Sequence, residues 1–201
     1  MQILVSILVA VIIGSPTQTL AEQPMEALQR GIEKGIGILE DPQYQDASRK
    51  KEQIQKLWEV TLDIFDFGEF SRRVLGSHWI EFTPSQRKEF VKLIGEFLGR
   101  LNLPKLQSKY NGEKVFYIDQ KITSDTRASV EIKVLWKNLE IPVTLRMKKS
   151  HGKWKVYDLS ALGISAVGNY RAQVHRILQQ KSPEEMIEIF RAKIGEIEEG
   201  V

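Results

Sequence analysis

The side chains able to do chemistry in this 201-residue chain are sparse, and their spacing excludes most reactions. There is no cysteine, which removes thiolate nucleophiles, thiolate metal sites and disulfides together. The three histidines, His78, His151 and His175, lie far apart in sequence with no metal-ligand spacing, and read as surface or helix-face residues. Gly163-Ile164-Ser165 begins like the sharp turn that presents a serine nucleophile, but Val167 stands where the second glycine belongs. Gly35-Ile36-Gly37 lacks the third glycine and the preceding strand of a dinucleotide loop. One catalytic arrangement survives, an aspartate base beside a tyrosine at the end of a strand, Tyr157-Asp158. Against it, successive strand residues point to opposite faces, so the two do not share one pocket wall.

The elements that would position such groups are legible in the periodicity. From Arg127 to Leu159 the chain alternates with a period of two. Val130, Ile132, Val134 and Trp136, then Ile141, Val143, Leu145 and Met147, then Trp154 and Val156 are apolar, and the residues between them are mostly charged. That is the pattern of antiparallel strands with one face buried and one in water. Lys137-Asn138 and Ser150-His151-Gly152 are short enough for hairpin loops. With the strand formers of Lys114 to Thr123, four strands are expected.

Helical stripes flank the sheet on both sides in sequence. Met25, Leu28, Ile32, Ile36 and Leu39 follow Pro24 at helical spacing, and Gly31, Gly35 and Gly37 within that helix read as close packing against a neighbour. A second helix is expected from about Gln45 to Thr61. The segment from Asp63 to Trp79 is rich in aromatics that read as core, interrupted by Arg72 and Arg73. Thr83-Pro84-Ser85-Gln86 is a capping box opening a helix that Pro104 should end or kink. Asn111-Gly112 turns the chain into the sheet, and after the sheet come two more helices, the last opened by Ser182-Pro183-Glu184-Glu185. The expected fold is α+β, a roughly four-stranded antiparallel sheet covered on one face by helices and enclosing an apolar cavity.

Residues 1–21 contain no charged side chain, run apolar from Ile3 to Ile13, and end in Thr19-Leu20-Ala21, a small-x-small site. They read as an export signal cleaved near Ala21, leaving residues 22–201 as a single domain. The net charge of +3, from 29 basic and 26 acidic residues, is that of ordinary solvated protein and excludes a nucleic-acid binder. Arg146, Lys148, Lys149, Lys153 and Lys155 cluster around one hairpin, either as a solvated strand face or as a contact for anionic headgroups or an acidic partner.

Thr83-Pro84-x-Gln86-x-x-x-Phe90, Tyr110-x-Gly112, Trp154-Lys155-Val156-Tyr157-Asp158, Gly163-Ile164-Ser165 and Asn169-Tyr170-Arg171-x-Gln173 occur in an order and spacing that resemble the MlaC or toluene-tolerance family, from about Ile38 to Ala192. Leu162 departs from the family, which commonly has a polar or acidic residue before that glycine, and Val174 departs by replacing an aromatic. The resemblance implies a periplasmic carrier that holds phospholipid acyl chains between sheet and helices and exchanges them with an inner-membrane ABC transporter complex and an outer-membrane lipoprotein complex, and a monomer is expected. It implies no cofactor, metal or catalytic residue. Apolar side chains able to line such a cavity are Val130, Ile132, Val134, Val143, Leu145 and Val156 from the sheet, with Leu75, Trp79, Ile94, Phe97, Leu98, Leu101, Tyr170 and Val174 from the helices. A hopanoid or squalene-related cargo and a lipid-free periplasmic adaptor are the alternatives.

Overall fold

The computed structural model describes residues 22–199, so the expected export signal lies outside the described residues. Helix α1 (Pro24–Glu40) leads through two single 3₁₀ turns to α2 (Lys50–Ile64) and α3 (Phe67–Leu75). A 3₁₀ turn over Gly76–Glu81 connects to the long α4 (Pro84–Lys109). Strands β1 (Lys114–Ser124), β2 (Arg127–Trp136), β3 (Leu139–Ser150), β4 (Lys153–Ala161) and a two-residue β5 (Ile164–Ser165) follow, and α5 (Ala166–Leu178) and α6 (Pro183–Glu199) close the order. The sheet is an antiparallel meander, β1-β2-β3-β4-β5. The fifth strand exceeds the four expected, being too short to register as alternation.

The turns explain the meander. Lys137-Asn138, His151-Gly152 and Leu162-Gly163 each hold two successive positive φ angles, the two-residue geometry that matches strand twist. The alternating apolar set of β2 and β3 pairs directly, Val130 with Leu145 and Ile132 with Val143. Against this face α1 packs Ala27 and Leu28, giving one core with Met147, Trp154 and Val156.

Between β3 and β4 the ladder slips by one residue. Arg146 pairs with Asp158 and Met147 with Val156, leaving Tyr157 as the extra residue of a bulge. The slip resets the alternation, so Leu159 and Ala161 stand opposite Leu145 and Val143.

Both sequence-read capping boxes form. Thr83 and Gln86 exchange bonds of 2.8 and 3.3 Å, and Ser182 and Glu185 bonds of 2.8 and 3.2 Å. Pro104, however, does not end α4, which continues to Lys109. Proline removes one helical donor, but Leu103 and Leu106 carry apolar contacts on either side of it, and the Tyr110 N–H still reaches the Leu106 carbonyl at 2.9 Å.

A second core lies wholly among helices α3 to α6. Phe90 is fully buried, with its ring centroid 6.0 Å from that of Phe82 and 5.5 Å from that of Phe190. The Arg72 and Arg73 that interrupt the aromatic stretch turn to the buried carboxylate of Glu69, which also accepts from Lys148 on β3 at 3.0 Å. That cluster ties the helical half to the sheet.

Candidate functional site

The helical cover does not sit flush on the sheet. Between α1, α2, the C-terminal end of α4 and the β2–β3 end of the sheet lies an open apolar hollow of about 430 Å³. Its helical walls include Ile32, Ile36, Leu39, Val60 and Ile64, its α4 wall is Leu103 and Leu106, and the sheet supplies Val115, Val134, Trp136 and Ile141. Tyr110, Lys109 and Glu113 bring the polar atoms. A second apolar hollow of about 320 Å³ runs under Leu159, lined by Phe65, Phe67, Phe70, Leu98, Gly99 and Tyr170. Both hollows are lined by Thr61 and Leu103, which places them side by side.

The local sequence opens this space. Gly31 packs tightly, since a Cβ there would meet Ile64 at 2.5 Å, whereas one turn on a Cβ at Gly35 would meet nothing within 4 Å. Close packing, expected for Gly31, Gly35 and Gly37, holds for Gly31 and not for Gly35 or Gly37. Interior glycine costs a helix up to about 1 kcal/mol relative to alanine, so at Gly35 that cost coincides with void rather than contact. Behind the hollow, Gln53 bonds the Ile38 carbonyl at 2.7 Å and accepts from Gln107 at 2.7 Å, fixing α1, α2 and α4 as a frame.

Each hollow carries a tyrosine. Burial and the bond to Glu40, 2.7 Å long, push the Tyr110 phenol of the larger hollow up to about 12. Burial also raises Tyr170 of the smaller one. These hydroxyls therefore stay neutral throughout the physiological range.

Of the residues expected to face a cavity, Val134 lines the larger hollow and Leu98 and Tyr170 line the smaller. Val130, Ile132, Val143, Leu145 and Val156 lie in the core between sheet and α1. Leu75, Trp79, Ile94, Phe97 and Val174 belong to or pack on the helical core, and Leu101 is half-buried and lines neither hollow. The walls contributed by α1 and α2 were not singled out, because their stripes are indistinguishable in sequence from ordinary core stripes. The aromatics from Phe65 to Phe70, read as core, do both: Phe70 is buried in the helical core, and all three also line the smaller hollow.

The motif residues with catalytic potential have structural partners. Asp158 is buried and accepts from Arg146 at 2.8 Å, from the Ser165 hydroxyl at 2.8 Å and from the Val167 N–H at 3.0 Å. Ser165 in turn caps α5 by accepting from the Gly168 N–H at 3.0 Å. The segment from Trp154 to Ser165 is thus a strand end, a tight turn and a helix cap locked by one carboxylate, and Asp158 lines neither apolar hollow. Tyr157 lies under the Arg73 guanidinium, 4.2 Å from its ring centroid. His78 and His175, distant in sequence, meet at 2.9 Å, and His78 also bonds Glu81 at 3.0 Å. Among the described residues no group of three or more His, Cys, Asp or Glu side chains is arranged to hold a metal.

A single antiparallel meander whose helical cover stands away from it around an apolar hollow defines an α+β protein built around an internal binding space. The MlaC protein family matches residues 29–192, and the chain belongs to that family. It is similar to the intermembrane phospholipid transport system binding protein MlaC of Haemophilus influenzae, at 28% identity over 98 residues. That match takes in 46% of this chain and 45% of the relative, so it spans about half of the relative's length. In three dimensions it resembles a phospholipid-binding protein from Ralstonia solanacearum, solved with a phospholipid bound, with a TM-score of 0.74 at 18% identity over 88% of this chain and 99% of that one.

Proposed function

We propose that the protein is a periplasmic lipid carrier that holds the acyl chains of a phospholipid non-covalently in the paired hollows and passes it between the two membranes. The observation that carries this reading is the larger hollow: about 430 Å³ of almost wholly apolar wall, with a second hollow of about 320 Å³ beside it. Both volumes fall in the range of small-molecule sites, roughly 300 to 1,000 Å³. Sealed and dry, the larger one alone would cost on the order of 10 kcal/mol, as much as the whole stability of a typical domain. Being open, it fills with water instead. Exchanging that water for acyl chain gains about 0.8 kcal/mol per methylene, the same amount the chain would lose if it crossed water unprotected.

Two hollows side by side at Thr61 and Leu103 suit a lipid whose two flexible chains diverge, and suit a rigid fused-ring hopanoid poorly. An ABC transporter complex at the inner membrane and a lipoprotein complex at the outer membrane are the proposed donor and acceptor, and lipid asymmetry of the outer membrane is the proposed purpose. No reaction is required of a carrier, whose binding step uses the apolar walls. Native mass spectrometry of protein purified without detergent tests the reading. A stoichiometric glycerophospholipid is expected. A hopanoid would replace the cargo, and protein that stays empty after incubation with liposomes would overturn the carrier function.

A further inference from the structure

Five exposed apolar side chains, Leu106, Trp136, Leu139, Leu162 and Ile164, gather toward one end of the sheet, apart from Ile80 and the outer residues of β1. Trp136 and Leu139 face each other at the β2–β3 tip, Leu162 at the β4–β5 tip bonds through its N–H to the Pro142 carbonyl at 3.5 Å, and Ile164 pairs with Ala161. Leu106 joins Trp136 across the larger hollow. Leu139, Leu162 and Ile164 are 62, 71 and 69% exposed, and none of the three lines either hollow. They stand at the turns of the sheet end that also supplies Trp136 and Ile141 to the larger hollow. Leu162 holds φ +51°, a left-handed conformation that a branched apolar residue rarely adopts, and it does so in water.

Cations accompany these side chains. Lys105 and Lys109 lie one turn apart on exposed α4, and Lys137 stands 5.0 Å over the Trp136 ring. Of the nearby carboxylates, Glu40 bonds Tyr110, Glu113 accepts from the Asn111 N–H and Glu140 pairs with Lys133. Apolar tips, a tryptophan and lysines at one level are the composition of a surface that seats in the headgroup zone of a bilayer.

We propose that this end of the sheet docks directly on an anionic phospholipid bilayer, placing the hollow openings against the acyl region so that a lipid enters without its chains crossing water. The inference rests on the carrier reading above. A bilayer is favoured over a protein partner because exposed leucines and isoleucine, a half-exposed tryptophan and lysines stand together at this end, the pairing of apolar and cationic groups that an anionic headgroup layer over acyl chains takes. A fluid headgroup layer accommodates side chains set on separate turns, whereas a protein would need a matching socket for each.

Flotation with vesicles of phosphatidylethanolamine and phosphatidylglycerol tests it on the intact mature protein. The wild type is expected to float with the vesicles and to detach partly as salt is raised. Leu139→Asp combined with Leu162→Asp should weaken association at least about tenfold, while native mass spectrometry of the same variant, purified with its cargo, finds an unchanged lipid content. That unchanged content also certifies the fold. A wild type that carries lipid but never floats, or floats only when the vesicles hold a membrane protein, overturns the bilayer docking and leaves the carrier standing. A variant that floats like the wild type also overturns it. Protein that never carries lipid overturns both.

Discussion

The two apolar interiors of this molecule, one packed largely through aromatics and one walled largely by aliphatics, end in opposite states. Among α3 to α6, Phe82, Phe90 and Phe190 interlock at centroid distances of 5.5 to 6.0 Å, and the largest side chains are fully buried. Between the sheet and α1, α2 and α4, aliphatic side chains leave about 430 Å³ open. The difference lies in how the helices are held. In the closed half each helix packs on its neighbours through aromatics. In the open half α1 is pinned to the sheet at Ala27 and Leu28 and held through Gln53 at its far end, so its middle, around Gly35, spans the gap. Closure depends on what fixes the ends of an element as much as on how apolar its face is.

Truncating the closed core should have the largest effect. Phe90→Ala is expected to lower stability by about 3 to 5 kcal/mol, because a fully buried ring leaves a cavity that interlocked neighbours cannot refill. Urea unfolding measures it, and a loss below about 1 kcal/mol would show the helical half to be as loose as the hollow. The stitch between halves comes next. Burial pushes the Glu69 carboxyl up, but the bonds from Arg72 and Lys148 outweigh it and hold the group at about 2, against an ordinary 4.5. A carboxyl lowered on folding contributes stability that is full above pH 4.5 and is lost as pH falls through 2. Glu69→Gln should therefore cost roughly 2 kcal/mol at pH 7 and flatten the acid limb of the stability profile below pH 5. Identical acid limbs in variant and wild type would remove Glu69 from that role.

Stability and cargo should separate at the hollow. Gly35→Leu removes an interior helix glycine and projects a side chain into open space, so stability is expected to rise by about 1 kcal/mol while bound lipid falls well below one per protein. Thermal unfolding and native mass spectrometry on one sample read both. Val134→Trp, from the sheet wall, should repeat the lipid loss without the stability gain. If Gly35→Leu kept its full lipid, the acyl chains would have to lie elsewhere than along α1.

The sheet, its hairpins and the two capping boxes were legible because each is a local pattern with a local cause: alternation, two-residue turns, a hydroxyl three residues before a glutamine or glutamate. The family motif was legible as well, although its structural job was not. Asp158 was weighed as a base beside Tyr157 and set against the alternation of strand faces, whereas Tyr157 occupies a bulge and the shifted register brings the carboxylate to Arg146, Ser165 and the Val167 N–H. A bulge leaves no mark in a pattern of alternate residues. The hollow was legible as a need and not as a place. Val134 and Val130 alternate in the same strand, and only the distance to α1 separates a wall from a core residue, a distance set by contacts tens of residues away.

The smallest expected effect lies at the edge of the open half. Leu162-Gly163 is a turn with φ of +51° and +80°, geometry in which asparagine or glycine is at ease and leucine is strained by about 1 kcal/mol. At 71% exposure that strain is not offset by burial in the folded protein. Leu162→Asn should thus raise stability by about 0.5 to 1 kcal/mol, read as a small increase in the urea midpoint with an unchanged slope. Lipid content should stay the same, since Leu162 lines neither hollow, while association with anionic vesicles should weaken. The opposite signs of these two changes are the test. A turn that gains stability and keeps its hold on vesicles would make Leu162 an unfavourable residue and nothing more, whereas a gain coupled to a loss would show stability exchanged for contact at the mouth of the hollow.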